Sequence, residues 1–213
     1  MPPLRDCFGV FEMHVPERRR ARSRTCVRQY EPDGLFAASA FPRDVYSLNV
    51  PVPSAVACLA TDLARELPGA RSRRRGEHTL VCKRLDTDGP DAAGRLDARV
   101  RETLAGTPPF AARVTGVDQF ETAVTGPSPI VHLAVESPGL RAVHERLCEA
   151  FDPIEGLEGE AYVPHVTVAR GGAPERAAAV CDREIDPVEW TVDELQVYDA
   201  ERDQRVSRLS LPA

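Results

Sequence analysis

The sequence predicts an α+β protein with mostly antiparallel sheets, arranged as two similar lobes that face each other across a central cleft. Two observations predict this. Short alternating segments of strand character are interleaved with segments of helical spacing, and a strand–helix–strand order occurs twice. The apolar positions of the two helices also match at a constant offset of 84 residues, Val56, Leu59, Leu63 and Leu67 against Leu140, Val143, Leu147 and Phe151. A duplicated unit of this kind favours two facing halves with binding space between them.

In chain order, Tyr46 to Val52 alternates as a strand. Pro53-Ser54 opens a helix, since proline is tolerated in a first turn, and Pro68-Gly69 closes it. An arginine-rich loop follows, and Thr79-Leu80-Val81-Cys82 reads as the second strand. Ala92 to Leu104 is a helix ending near Gly106, and Ala111 to Val117 is a strand. In the second unit Ile130 to Val135 is a strand, Ser137-Pro138-Gly139 breaks it, and the Leu140–Phe151 helix follows. Val163 to Ala169 is then the strand that takes the place of residues 75–81. The tail adds two alternating strands, Trp190 to Tyr198 and Val206 to Leu211.

Residues 1–43 differ from the rest. They hold eight arginines against five acids, whereas the whole chain carries −6, so the body is acidic. The run Glu17 to Arg24 has no apolar periodicity and reads as part of a disordered N-terminal extension; an RNA-binding arm is the sharper alternative. Residues 44–213 form the working domain. An acidic body argues against a broad surface that coats nucleic acid, because neutralising phosphates takes clustered positive charge, but it leaves room for a small basic cleft. Lys83 is the one lysine of the chain. No apolar run approaches the roughly 18–20 residues of a membrane span, and no apolar leader is seen. A cytoplasmic monomer without membrane contact is expected. The six cysteines lie far apart with no C-x-x-C pair, so they read as core or surface thiols rather than metal ligands.

His165 and Thr167 are two apart on a predicted strand and therefore share one face. An imidazole titrates near neutrality and can take or give a proton, a hydroxyl can donate to a phosphate oxygen, and Arg170 just beyond adds charge for a phosphodiester. Arg71, Arg73, Arg74 and Arg75 precede the first-unit strand, either as a solvated loop or as a path for an RNA strand. His144 reads as surface or helix packing, His132 can face either way, and His14 is given no role.

Together these segments resemble the 2′-5′ RNA ligase-like branch of the two-histidine phosphoesterase superfamily. The resemblance is carried by Thr79 to Leu85, Pro108-Pro109-Phe110 with Val114 to Val117 and Phe120, Val131 to Val135, the Leu140–Leu147 helix, and Pro164 to Arg170. They follow the family's order over most of residues 45–210. The resemblance implies one H-x-T/S motif per lobe facing the cleft, with one histidine as base and the other protonating the departing ribose oxygen. It also implies hydroxyls that hold the phosphate, and no metal or other cofactor. Substrates would be 2′,3′-cyclic phosphates at RNA ends, related cyclic nucleotides, or 2′-5′ linkages.

The first motif departs from this pattern. Aligning Thr79 with the motif's threonine puts Glu77 at the histidine position and aims His78 at the opposite face. Placing His78 there instead pairs Leu80 with the threonine. A β-bulge would allow His78 and Thr79 to turn inward together. His165 is then paired with either His78 or Glu77 for proton transfer, with Thr79 and Thr167 on the phosphate. The alternative is a catalytically weak module that binds RNA ends or cyclic nucleotides.

Overall fold

The computed structural model describes residues 46–73, 77–85 and 92–212. The extension expected over residues 1–43, and Arg74 and Arg75, lie outside the described residues. The elements in order are β1 Tyr46–Pro51, α1 Ser54–Ala64, β2 Arg71–Ser72, β3 Thr79–Leu85, α2 Ala92–Thr103, β4 Phe110–Phe120, β5 Ile130–Glu136, α3 Pro138–Ala150, a 3₁₀ turn Gly159–Ala161, β6 His165–Arg170, α4 Pro174–Cys181, β7 Val188–Val192, β8 Glu194–Asp199 and β9 Gln204–Ser210.

The strands form one antiparallel sheet in the order β7-β4-β5-β6-β3-β1-β8-β9, with β2 added alongside β6. Four strands belong to each half of this path, so the expected α+β architecture of two antiparallel lobes is present. The lobes are not separate sheets, however. They meet through a single residue pair, Leu80 opposite Val166.

The continuous strand expected over Trp190 to Tyr198 is two strands. β7 pairs with β4 at one edge of the sheet, while β8 pairs with β1 in the other half. Alternation continues across Asp193, so the pattern alone cannot show that the chain changes lobe there.

Helix α1 buries Val56, Ala60 and Leu63, and α3 buries Leu140, Val143 and Leu147, which is the helical spacing that sequence periodicity demands. α1 packs against β6, and α3 against β3 and β4. Each repeat helix therefore reaches the inner strand of the opposite half. Ser137 caps α3 by accepting a hydrogen bond from the Leu140 amide at 3.1 Å, and Pro138 follows in the first turn. Gly139 permits the close approach of α3 to β4, because a Cβ there would lie 2.4 Å from Cβ of Phe110.

Beyond Leu80, side chains of the second half take up the backbone groups of β3. Tyr162 Oη donates to the Val81 carbonyl at 2.7 Å, and His144 Nδ1 donates to the Cys82 carbonyl at 2.7 Å. Glu158 Oε1 accepts from the Arg84 amide at 2.7 Å. The His144 and Tyr162 rings stack at 3.8 Å, and the Gly159 amide donates to His144 Nε2 at 2.9 Å. His144 is thus an interior residue, held neutral with one nitrogen donating and the other accepting.

Lys83 is the largest fully buried side chain. Its ammonium donates to Glu158 Oε2 at 2.6 Å, to the Arg84 carbonyl at 2.8 Å and to the Asp152 carbonyl at 3.1 Å, which uses all three of its donors. The same carboxylate accepts from the Ile154 amide at 3.0 Å. Removing one member strands the other charge in the interior. Glu158→Ala should therefore lower the unfolding free energy by about 3–5 kcal/mol in urea denaturation. The double change Lys83→Met/Glu158→Leu should recover only part of that loss, because the Arg84 and Ile154 amides and the Asp152 carbonyl then lose their side-chain partners, and equal losses for both variants would show that burial of charge is not the cause.

Candidate functional site

The seam between the halves sets the site. Strands β3 and β6 run antiparallel, so the pair Leu80–Val166 places Thr79 across from Thr167 and Val81 across from His165. Leu80 and Val166 point into the core, and the residues flanking them point to the opposite face. There they line an open cleft of about 100 Å³. This is far below the roughly 300–1,000 Å³ that buries a whole small-molecule ligand, and suits a single compact group such as a phosphate.

The six residues expected to act in catalysis or phosphate binding lie on this cleft, and of the arginines expected as a path for RNA, Arg73 lines it and Arg71 does not. The second half supplies His165, Thr167 and Arg170, and the first supplies Glu77, His78 and Thr79, joined by Arg73, Val81 and Arg84. Arg73 arrives because β2 pairs with the far end of β6, Arg71 against Arg170 and Ser72 against Ala169.

The two halves match residue by residue around the seam. Each has a bulge at the same place, between Leu48 and Asn49 against β3 and between Val131 and His132 against β6. Both inner strands begin with the same burial sequence: half-buried, buried, half-buried, buried, buried, half-buried. Seam, bulge and burial agree on one correspondence, Thr79 with His165, Val81 with Thr167 and Asn49 with His132. The expected match of residues 75–81 to 163–169 is therefore wrong by two residues. A two-residue slip leaves period-2 alternation unchanged, which is why the pattern could not detect it. In this register the first half presents threonine and valine where the second presents histidine and threonine.

His165 Nδ1 lies 2.8 Å from the Val163 carbonyl. A carbonyl only accepts, so Nδ1 carries the hydrogen and Nε2 holds the free lone pair. The ring meets Phe120 edge-on at 5.0 Å and His132 at 5.1 Å, and Phe120 stacks on His132 at 4.2 Å. Burial above all, with His132 and the guanidiniums of Arg84 and Arg170 adding to it, drives the His165 pKa down to about 4, against the hydrogen bond to Val163. The ring is consequently neutral at neutral pH. His132, 1% exposed, is likewise pushed down by burial.

His78 precedes the first residue of β3, so strand alternation does not aim it. Its side chain is 4% exposed, and neither ring nitrogen has a hydrogen-bond partner among the described residues. Burial lowers its pKa, Arg73 lowers it further, and Glu77 opposes both. Thr79 and Thr167 are half-buried. Arg170 donates to the Thr125 carbonyl at 3.1 Å, while burial and the neighbouring Arg73 and Arg84 work against its charge.

Sequence reasoning missed Arg84, His132 and Phe120 as parts of this site. Arg84 was detectable only through the correct register of the repeat. The two rings needed knowledge of which strand neighbours β6. Among the described residues no three His, Cys, Asp or Glu side chains come together as a metal-binding group.

The family model described as the 2′-5′ RNA ligase superfamily matches residues 84–204. The match begins at Arg84 and leaves Glu77, His78 and Thr79 outside it. Among solved structures, E. coli LigT complexed with 3′-AMP is 13% identical with a TM-score of 0.58, over 79% of this chain and 98% of that one. TT0787 of Thermus thermophilus is 20% identical with a TM-score of 0.55, over 78% and 97%. A structure described as a phosphoesterase is 13% identical with a TM-score of 0.56, over 79% and 98%. At these identities the likeness is one of fold. No curated protein matches the sequence significantly.

His78, His132, His144 and His165 all have folded pKa values below the ordinary 6.5. As pH falls, the unfolded chain takes up protons first, so stability present above about 6.5 is lost on acidification, and for His165 the loss continues to about 4. Urea midpoints should therefore fall between about pH 7.5 and 5.5, a window in which ordinary carboxylates stay ionised. An unchanged midpoint would contradict the neutral burial of these rings.

Proposed function

Because the chain belongs to the 2′-5′ RNA ligase superfamily, we propose that the cleft carries out acid–base phosphoester chemistry. The substrates proposed are 2′,3′-cyclic phosphate ends of RNA or related cyclic nucleotides. The observation that carries this reading is the state of His165, neutral and anchored through Nδ1, with Nε2 left as a base beside a threonine and an arginine. In hydrolysis Nε2 takes a proton from water, the water oxygen bonds to phosphorus, and one ribose–oxygen bond to phosphorus breaks. The departing oxygen takes a proton, and the product is a phosphomonoester. With a 5′-hydroxyl of a second RNA end in place of water, the same displacement bonds that oxygen to phosphorus, breaks the bond to the 3′ oxygen, which takes the proton, and gives a 2′-5′ linkage. Neither reaction calls on a metal or cofactor.

Thr167 and Thr79 would orient the phosphate through their hydroxyls, and Arg170 would balance its charge. The second proton transfer falls to His78 or Glu77, which stand next to each other at the first-half end of the cleft. His78 is the better fit. A buried polar ring without a protein partner is costly unless a ligand completes it. LigT, whose fold this chain shares, has been solved with 3′-AMP and with phosphate, which is in keeping with a nucleotide phosphate in such a cleft.

One observation favours a second reading. In the register set by the seam, the first half has no H-x-T triplet opposite that of the second. A module that binds RNA ends or cyclic nucleotides with little turnover is the alternative.

Hydrolysis of a nucleoside 2′,3′-cyclic phosphate in the presence of chelator separates the two. His165→Ala should reduce kcat/KM by about 10²–10⁴-fold. His78→Ala should do the same, while Glu77→Gln should have a smaller effect; the opposite order would assign the second transfer to Glu77. A wild-type protein that binds the compound without turning it over would establish the binding module. The acid limb of kcat/KM should lie at about pH 4, where His165 protonates and ceases to be a base. Loss of activity already at about pH 6, near the ordinary range of an exposed imidazole, would point to a different base.

A further inference from the structure

Arg84 belongs to no recognisable motif, yet the relation between the two halves fixes its place. Continuing outward from the seam, Val81 matches Thr167, the bulge residue Cys82 matches Val168, and Arg84 matches Arg170. On a regular strand the residue five places after His165, or after Thr79, would point away from the cleft. The extra residue at each bulge reverses that parity, and both arginines line the cleft.

The strand end that carries Arg84 is firmly held. Its amide donates to Glu158 Oε1 at 2.7 Å, and Glu158 is itself locked by Lys83. Among the described residues the guanidinium makes one long contact, to the same carboxylate at 3.9 Å from Nη1, and the side chain is 29% exposed. It has donors to spare for a ligand.

We propose that Arg84 and Arg170 are a matched pair of phosphate ligands, one from each half. Binding charge is then supplied from both sides of the cleft even though the H-x-T triplet exists on only one. This rests on the phosphate-site reading of the cleft. It also has a consequence for ligand class. Among the described residues that line the cleft, Arg73, Arg84 and Arg170 face one carboxylate, Glu77, and that surplus of positive charge suits the dianionic phosphomonoester that hydrolysis releases as well as the cyclic diester it consumes.

The test is calorimetric binding of a ribonucleoside 3′-monophosphate and of inorganic phosphate to the full chain at neutral pH, which requires no turnover. Arg84→Gln and Arg170→Gln should each weaken binding of both ligands by roughly tenfold or more, as expected for a charge-assisted hydrogen bond. Arg84→Lys should restore part of the loss. Arg113→Gln, on β4 and paired with Glu189 away from the cleft, should bind as the wild type does. In the wild type itself, the side-chain Nε–H resonance of Arg84 should shift on titration with phosphate, which keeps the test independent of how well any variant folds. Wild-type affinity in Arg84→Gln alongside weakened Arg170→Gln, or an unmoved Arg84 resonance while that of Arg170 shifts, would overturn the pairing and leave the phosphate site standing. Failure of the wild type to bind either compound would overturn the phosphate-site reading itself.

Discussion

Everything in this molecule turns on how little backbone pairing joins its two halves. One residue pair, Leu80 with Val166, carries the sheet from β6 to β3. Because buried backbone groups must find partners, the departure of β3 from β6 has to be made good by other groups. Tyr162, His144 and Glu158 supply them on one side of the seam, and β2 supplies them at the far end of β6. The cleft exists because the ladder stops at one pair, and it stays open because side chains, rather than further strand pairing, satisfy what the ladder left.

That arrangement explains a buried ion pair which would otherwise be hard to justify. Lys83 and Glu158 gain little from mutual attraction once desolvation is counted. Their value lies in geometry, since the carboxylate also holds the Arg84 and Ile154 amides and the ammonium ties the Asp152 carbonyl to β3. A loop and a strand from different halves are brought into one fixed relation directly behind the cleft. Rigidity at that depth is what a site needs if its groups are to be held in place for chemistry.

The cleft itself combines neutral imidazoles with several guanidiniums. Burial and neighbouring positive charge push the rings in the same direction, so the histidines stay uncharged at neutral pH. An arriving phosphate would change that balance, as its negative charge favours protonated imidazole. The electrostatics are thus set for an anion, and the two faces differ in what they add to it. The second half offers an imidazole and a hydroxyl at matched positions, whereas the first offers a hydroxyl and a methyl-bearing side chain, with His78 and Glu77 standing just outside the register.

The sequence by itself determined the α+β class, the order of most elements, the duplicated strand–helix–strand unit and the shared strand face of His165 and Thr167. These follow from local periodicity, in which side chains at i and i+2 share a strand face and those at i, i+3 and i+4 share a helix face. Only the tertiary structure decided the register of the two inner strands, the split of residues 188–199 between the two halves of the sheet, and the inward turn of Arg84 and Arg170 past their bulges. It also decided that His132 and Phe120 sit against His165, and that Lys83 is buried on Glu158. The physical reason is the same in each case. Alternation repeats every two residues and is blind to a slip of two, to a bulge and to the choice of neighbouring strand, all of which are settled by contacts between residues far apart in the chain.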